Sequence, residues 1–412
     1  MNKTKSYRIS KNSVVVAWER VKANKGSYGI DEQSIRDFNT ELKDNLYKIW
    51  NRMSSGTYFP PAVKAVEIPK SETQTRLLGI PTVADRVAQA VVKLYLEPIV
   101  EPKFHEDSYG YRPEKSAVEA VGVARKRCWR QDWAIDLDIK GFFDNLDHDL
   151  VMKAVRFHTD EKWIHLYVER WLKAPLQQKD GQLIKRDKGT PQGGVISPLL
   201  ANIFMHHAFD EWIRTRLSDV KFERFADDAL VHCHTLKQAE KVLEAIKNRL
   251  KEYGLELHPE KTKIAYCKDG NRKLNYINHS FDFLGYTFRP RKARSRHGKM
   301  FLNFTPAVSN KAKSKIMEKI KSWKLHRKTN LSVVEIAERI NPVTRGWINY
   351  YGKFYKSALY SLFFRLDKIL IRWSQWKFKK LRTSLKRTLK WWGRIAYSNK
   401  HLFSHWKLVR CF

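Results

Sequence analysis

Apolar residues recur at helical spacing through Val14, Val15, Trp18 and Val21, stop between Asn24 and Gly29, and resume at Ile35, Phe38, Leu42, Leu46 and Ile49. That period marks one buried helix face, so residues 10–53 are expected to form an N-terminal helical pair. Val63 to Pro69 alternates and reads as a short strand. After Pro81 the helical period returns through Val83, Val87, Val91, Leu94 and Tyr95 and is expected to run up to Pro98. Trp133 to Ile139 alternates again, with Trp133, Ile135, Leu137 and Ile139 on one face and Ala134, Asp136 and Asp138 on the other. This predicts a strand with a carboxylate face.

Between Phe222 and Lys263 the pattern predicts a strand (222–225), a tight acidic turn, a second strand (229–234) and a helix opened by the capping residues Thr235 and Gln238. The helix stripe is Leu236, Ala239, Val242, Leu243, Ile246 and Leu250, and Gly254 is placed to end it before a strand over 255–257. Residues 281–288 read as a further hairpin. Residues 289–299 carry six basic residues, no acid, Pro290 and Gly298, and are expected to be a loop or linker. Everything after Pro306 has helical period, so the main domain boundary is placed there. The whole reads as α+β followed by an all-helical region.

Composition narrows the function. A length of 412 residues suggests two or three domains, and 42% apolar with 13% aromatic residues is enough for a real core, which excludes disorder as the main state. Cys128, Cys233, Cys267 and Cys411 are scattered, the closest pair 34 residues apart, so neither a zinc knuckle nor a disulfide framework can be drawn and a reducing compartment is expected. No apolar run approaches the ~18 residues of a membrane span, and no leader pattern opens the chain. A cytoplasmic protein with no membrane partner is the expectation.

The formal charge is +36. Residues 305–412 hold 26 Lys and Arg against 4 acids, net +22, and the remainder of the chain is only +14. No acid occurs from Lys368 to Phe412, and seven of the 14 tryptophans lie in this same quarter. About two thirds of these tryptophans are expected in a helical core. The charge, however, requires a polyanion, and RNA is favoured.

The candidate chemistry lies elsewhere. Asp227 and Asp228 adjoin in a tight turn, and Asp136 and Asp138 share a strand face. Like charges a few Å apart oppose one another's ionisation unless a cation neutralises them. Mg²⁺ takes hard oxygen ligands from one or two carboxylates plus substrate phosphates, and two such ions can stabilise the attacking and leaving oxygens of a phosphoryl transfer.

Phe225-Ala226-Asp227-Asp228 resembles the Tyr/Phe-x-Asp-Asp hairpin of reverse transcriptases, and Asp138-Ile139-Lys140-Gly141-Phe142-Phe143-Asp144-Asn145 resembles their first catalytic strand. The run from Gly189 to Asn202, beginning Gly189-Thr190-Pro191-Gln192-Gly193-Gly194, is similar to the nucleotide-binding motif of the group II intron-encoded reverse transcriptase/maturases. Asn24 to Asp31 resembles that family's N-terminal extension, Ile68-Pro69-Lys70 with Arg76 to Pro81 its fingers, and Ser108 to Pro113 the next block. His258 to Thr262 and Phe283-Leu284-Gly285 match later palm blocks, and Arg345 to Tyr351 resembles the maturase-specific thumb.

The resemblance implies a right-hand polymerase fold: an N-terminal extension over 1–35, fingers and palm with antiparallel sheet over 36–304, a helical thumb/maturase domain over 305–385, and a short basic segment over 386–412 that could contact DNA or RNA. It implies an RNA-directed DNA polymerase using two Mg²⁺ ions, with Mn²⁺ as a substitute, held by Asp138, Asp227, Asp228 and the Ile139 carbonyl. Strand parity alone does not choose between Asp138 and Asp136; the family motif selects Asp138. Lys70 and Arg76 match the residues that clamp the triphosphate, Gln192 lines the nucleotide sugar, Phe143 blocks a ribose 2′-OH, and Lys261 is a candidate acid for the departing pyrophosphate. Lys22, Lys25, Lys377, Lys379, Lys380 and Arg382 are candidate RNA contacts, the last four spread around a helix. The implied partners are group II intron RNA, an RNA template with DNA primer, dNTPs and target DNA, in the bacterial cytoplasm or nucleoid, with oligomeric state left open.

Three departures stand out. Phe225 replaces the common Tyr, Ser71 to Thr75 lacks the usual glycines, and without Cys pairs the Cys/His endonuclease of many members is expected to be absent. A splicing-only maturase and a reverse transcriptase recruited to defence are the alternatives.

Overall fold

A computed structural model describes residues 6–69, 75–295, 297–410 and 412. They divide into two compact units. The first comprises residues 1–116, 137–231 and 240–262, and the second 117–136, 232–239 and 263–412. Among the described residues, no helix is long and apolar enough to cross a membrane.

The first unit opens with three helices where a pair was expected, Lys11–Asn24, Ile35–Thr40 and Leu42–Ser55, because the second expected helix is interrupted at Glu41. The second of these is capped reciprocally by Ser34 and Asp37. Strands Val63–Pro69 and Thr75–Ile80 form an antiparallel hairpin, and the first also pairs in parallel with Leu176–Gln177. Helix Val83–Val100 is the unit's apolar spine, with Val87, Ala88, Val91, Val92 and Leu96 fully buried. Pro98 does not end it: the helix runs two residues further, to Val100.

Asp85, near the start of that helix, is buried. It accepts hydrogen bonds from Tyr58 Oη (2.9 Å), Trp171 Nε1 (2.7 Å) and Gln89 Nε2 (2.9 Å). Gln89 in turn accepts from the Val195 N–H at 2.8 Å, so the core network reaches into the Gly189–Asn202 segment. Helix Ser197–Met205 follows and passes through a π-helical turn, His206–Asp210, into Glu211–Arg216.

In the second unit, Trp133 to Asp136 pairs antiparallel with Lys263–Tyr266, a strand that periodicity did not predict. The expected strand over 255–257 reduces to a single bridge between Leu257 and Ile139, both in the first unit. Thr235 Oγ1 accepts from the Gln238 N–H at 3.1 Å as its sequence predicts, and Gly254 ends the helix at φ +71°.

Residues 289–299 are not a linker. Tyr286–Arg294 pairs along its full length with Met300–Val308 and also with Phe281–Phe283, forming a three-stranded sheet. Of the basic residues that suggested a loop, Arg289, Lys292, Arg294 and Lys299 are exposed on the hairpin, and Arg291 is partly buried, donating to the Thr305 and Thr287 carbonyls; strands tolerate Lys and Arg on a solvent face. Met300–Val308 also runs across the expected boundary at 304/305.

Helices Asn310–Ser322, Val333–Tyr351, Tyr360–Lys377 and Leu385–Ser398 enclose one apolar core containing Ile336, Ile340, Phe363, Leu366, Trp373 and Trp392. Phe403 and Trp406 lie in the same core, so the residues expected to form a separate segment over 386–412 pack with the preceding helices. Burying large rings is the strongest apolar contribution available to a region this rich in charge. Trp323, Trp347 and Trp391 pack against the core, and Trp376 is half exposed.

Candidate active site

The site is built on a hairpin. Strand Lys221–Phe225 turns through Ala226 and Asp227 into strand Asp228–Cys233. Asp227 thus occupies the turn and Asp228 begins the outgoing strand. Ala226 adopts φ +59°, a region a side chain populates at a cost of about 1–3 kcal/mol, and such strain persists only where surroundings impose it. Two neighbours impose it. Gly110 packs flat on the turn: a Cβ there would lie 2.9 Å from the Phe225 carbonyl carbon and nearer still to the Ala226 nitrogen. Arg224, fully buried, donates from Nη1 to the Ala226 carbonyl at 3.0 Å and to Asn202 Oδ1 at 3.1 Å, and from Nη2 to Ser108 Oγ at 2.8 Å.

Asp138 comes in from the end of the strand Trp133–Leu137. Its carbonyl accepts from the His258 N–H at 2.8 Å and its N–H donates to Thr262 Oγ1 at 3.3 Å, so the 258–262 turn grips the backbone beside the carboxylate. Lys261, on that turn, places Nζ 3.6 Å from Asp138 Oδ1. Ile139 is buried and bridges to Leu257.

Asp228 feels both other carboxylates. Its side chain meets solvent on one side while protein surrounds the rest, and this burial, with the charges of Asp227 and then Asp138, pushes its carboxyl up to about 7. A hard divalent cation suits such carboxylates and would offset the burial and repulsion that raise the Asp228 carboxyl.

The remaining predicted residues fall on two sides of this group. Phe143 is buried, and its carbonyl accepts from the Thr190 N–H at 2.8 Å, which ties the ring's backbone to the glycine-rich segment. Gly189 sits at φ +79° against the Asp144 carbonyl and leaves no room for a side chain. Gln192 accepts from Arg76 Nε and donates to the Asp144 carboxylate at 3.2 Å, and its carbonyl accepts from the Gly79 N–H at 3.0 Å. Arg76, Gln192 and the strand Thr75–Ile80 therefore form one wall. Beside it lies a cavity of about 310 Å³ lined by Leu77, Asp144, Lys188, Thr190 and Gln192. Lys70 lies outside the described residues.

Two residues at this site carried no role in the sequence reading. Tyr111, at φ +60°, has its ring 6.4 Å from both Phe143 and Phe225, and burial together with the Asp227 charge pushes its hydroxyl up. The Ser108 to Pro113 block was the only signal for it. Arg224 had none, since an Arg in a strand ordinarily reads as a solvent-facing residue.

The RNA-contact candidates divide. Lys22, Lys25, Lys379, Lys380 and Arg382 are exposed. Lys377 instead turns inward, donating to the carbonyls of Thr329 at 2.7 Å and Leu331 at 2.9 Å. The helix carrying it ends at Lys377, and Lys379 to Leu381 forms a 3₁₀ turn, so these four residues do not ring one helix.

The strained Asp-Asp hairpin, with the charge of Asp138 felt at Asp228 and a glycine-rich segment in the same unit, is the candidate active site. The profile of the reverse transcriptase (RNA-dependent DNA polymerase) family matches residues 68–288, and the chain belongs to that family. The profile of the group II intron, maturase-specific domain matches residues 313–392. The chain is 29% identical over 287 residues to the group II intron-encoded protein LtrA of Lactococcus lactis subsp. cremoris, covering 68% of this chain and 47% of that one. It is 31% identical over 318 residues to protein YkfC of Escherichia coli K12, covering 68% and 80%. It is 25% identical over 277 residues to the putative COX1/OXI3 intron 1 protein of Saccharomyces cerevisiae, covering 66% and 32%. The chain thus spans about half the length of LtrA. The α+β region followed by helices is the fold expected of a reverse transcriptase with a maturase domain.

Proposed function

We propose that the chain is an RNA-directed DNA polymerase that also binds a group II intron RNA and assists its splicing and mobility. The observation that carries the polymerase reading is the electrostatic coupling of Asp138, Asp227 and Asp228: burial, and then the charges of Asp227 and Asp138, push the Asp228 carboxyl up to about 7. The maturase-specific match over 313–392 and the net +22 of residues 305–412 support the grip on intron RNA.

In this reading Asp138, Asp227 and Asp228, with the Ile139 carbonyl, hold two Mg²⁺ ions. Bound there, the ions supply charge neutralisation at the attacking and leaving oxygens. The chain's own residues do the rest. Arg76 and Lys70 take the triphosphate, and the Arg76 partner Gln192 turns to the sugar. Phe143, wedged by Tyr111, leaves no space for a 2′-OH. Lys261 passes a proton to the departing pyrophosphate.

Extension of a DNA primer on an RNA template with dNTPs and Mg²⁺ tests this. Asp227→Asn should lower the single-turnover rate by several orders of magnitude while RNA affinity stays near parental. A parental rate in that variant would sink the assignment.

A further inference from the structure

Away from the aspartates, three imidazoles converge in the first unit. His158 is the last residue of helix His148–His158, and His206 and His207 open the π-helical turn His206–Asp210. One donor atom from each ring lies within 4.8 Å of the other two, and His158 Nε2 is 2.9 Å from His207 Nε2. His158 and His206 are only 6% and 5% exposed.

Hydrogen bonding accounts for little of this arrangement. A His158–His207 contact uses one proton and one lone pair, yet Nδ1 of His158 and Nδ1 of His206 are both buried with no partner. Each such atom costs about 1–3 kcal/mol. Aromatic rings wall the cluster, Phe104 against His206 at 5.6 Å and Phe157 against His158 at 5.3 Å. Asp210 and Glu211, on the adjoining segment, are already engaged by Arg224 and Arg214.

The backbone is shaped to bring the rings together. On a regular helix two consecutive side chains diverge by about 100° and do not face a common point. The π-helical turn widens the helix where His206 and His207 stand, and their ring centroids are 5.0 Å apart. Turns of this kind concentrate at functional sites. Its loosened carbonyls are satisfied separately, Arg249 donating to His207 at 3.3 Å and Ala208 at 3.2 Å.

We propose that His158, His206 and His207 bind one borderline transition-metal cation, best matched by Zn²⁺, with a water molecule as fourth ligand. Imidazole nitrogens favour zinc over Mg²⁺, which needs oxygen ligands. Zn–N bonds of about 2.0–2.1 Å in a tetrahedron set nitrogen atoms about 3.3 Å apart. The 2.9 Å contact and the 4.8 Å limit bracket that spacing, so side-chain rotation closes the site. The role is structural: the ion fastens the end of helix His148–His158 to the segment whose Asp210 clamps Arg224. The Lys103 charge, felt at His158, tempers the affinity.

The test uses the full chain without a histidine tag, stripped with EDTA. Zn²⁺ is titrated against a chromophoric chelator, and Co²⁺ serves as spectroscopic probe. The expected result is one Zn²⁺ per chain, a four-coordinate Co²⁺ spectrum, and a Tm raised by Zn²⁺ more than by Mg²⁺. His158→Gln and His207→Gln should each weaken Zn²⁺ by about 100-fold or more, since even loss of an outer partner costs 10–100-fold. Asp227→Asn should bind Zn²⁺ as the parent does, which separates this site from the polymerase assignment. Parental chain that binds Zn²⁺ no more tightly than the double His→Gln variant, or that leaves Co²⁺ octahedral, overturns the proposal without any variant needing to show activity.

Discussion

Arg224 and Asp210 form a completely buried ion pair, Nη2 to Oδ2 at 2.6 Å and Nε to Oδ1 at 2.7 Å, between the strand that leads into the Asp227-Asp228 turn and the π-helical turn before Glu211. Because Arg224 also holds the Ala226 carbonyl, the pair sets the backbone that presents Asp227 and Asp228. Removing one member leaves an uncompensated buried charge. Arg224→Ala should cost about 3–5 kcal/mol in denaturant unfolding, and Arg224→Met with Asp210→Leu should cost less than the single change.

Gly110 is required by close approach to the turn. Gly110→Ala should displace Phe225 and Ala226 and lower the primer-extension rate at least about 10-fold, a loss of roughly 1.4 kcal/mol in transition-state stabilisation. Gly346→Ala serves as the control: nothing lies within 4 Å of its added Cβ, and extension should match the parent.

Asp85 supplies the pH dependence. Burial pushes its carboxyl up to about 6 against the favourable bonds from Trp171, Tyr58 and Gln89. The folded chain therefore holds this proton more tightly than the unfolded chain, whose carboxyl titrates near 4. Its contribution to stability is full below about pH 4 and is lost as pH rises to about 6. Urea unfolding of the parent and of Asp85→Asn across that window isolates this contribution: the stability of the parent relative to the variant should decline as pH rises.

Phe143 tests the sugar wall. Phe143→Ala should let single-turnover incorporation admit ribonucleotides that the parent rejects, with dNTP incorporation much less affected. An unchanged dNTP-to-NTP ratio would reduce the ring to packing.

The basic residues between helices Tyr360–Lys377 and Leu385–Ser398 should act by charge. Replacing Lys379, Lys380 and Arg382 with Gln should lower the slope of log RNA affinity against log salt by about 2, at roughly 0.7–0.9 per phosphate contact, while extension of a short primer-template survives at saturation. Lys377→Gln should behave differently, lowering stability by about 1 kcal/mol in thermal unfolding, because that ammonium bonds two carbonyls of its own chain.

Read alone, the sequence determined what is local and periodic. Helix faces such as Val83 to Val91, the strand at Val63–Pro69, the Thr235 cap and the acidic turn at Asp227 follow from spacing, because burying one face of an element imposes its period on the residues themselves. The motif from Gly189 onward was legible too, since close backbone contact leaves glycine as the residue that fits. Tertiary structure decided which buried polar groups meet. Arg224 finding Asp210, Asp85 gathering Tyr58 and Trp171, and His158 meeting His206 and His207 join segments whose own patterns give no sign of one another. The hairpin over 286–308 was hidden for a related reason: exposed cations such as Arg289, Lys292 and Arg294 interrupt any apolar alternation, so its register comes from pairing across strands.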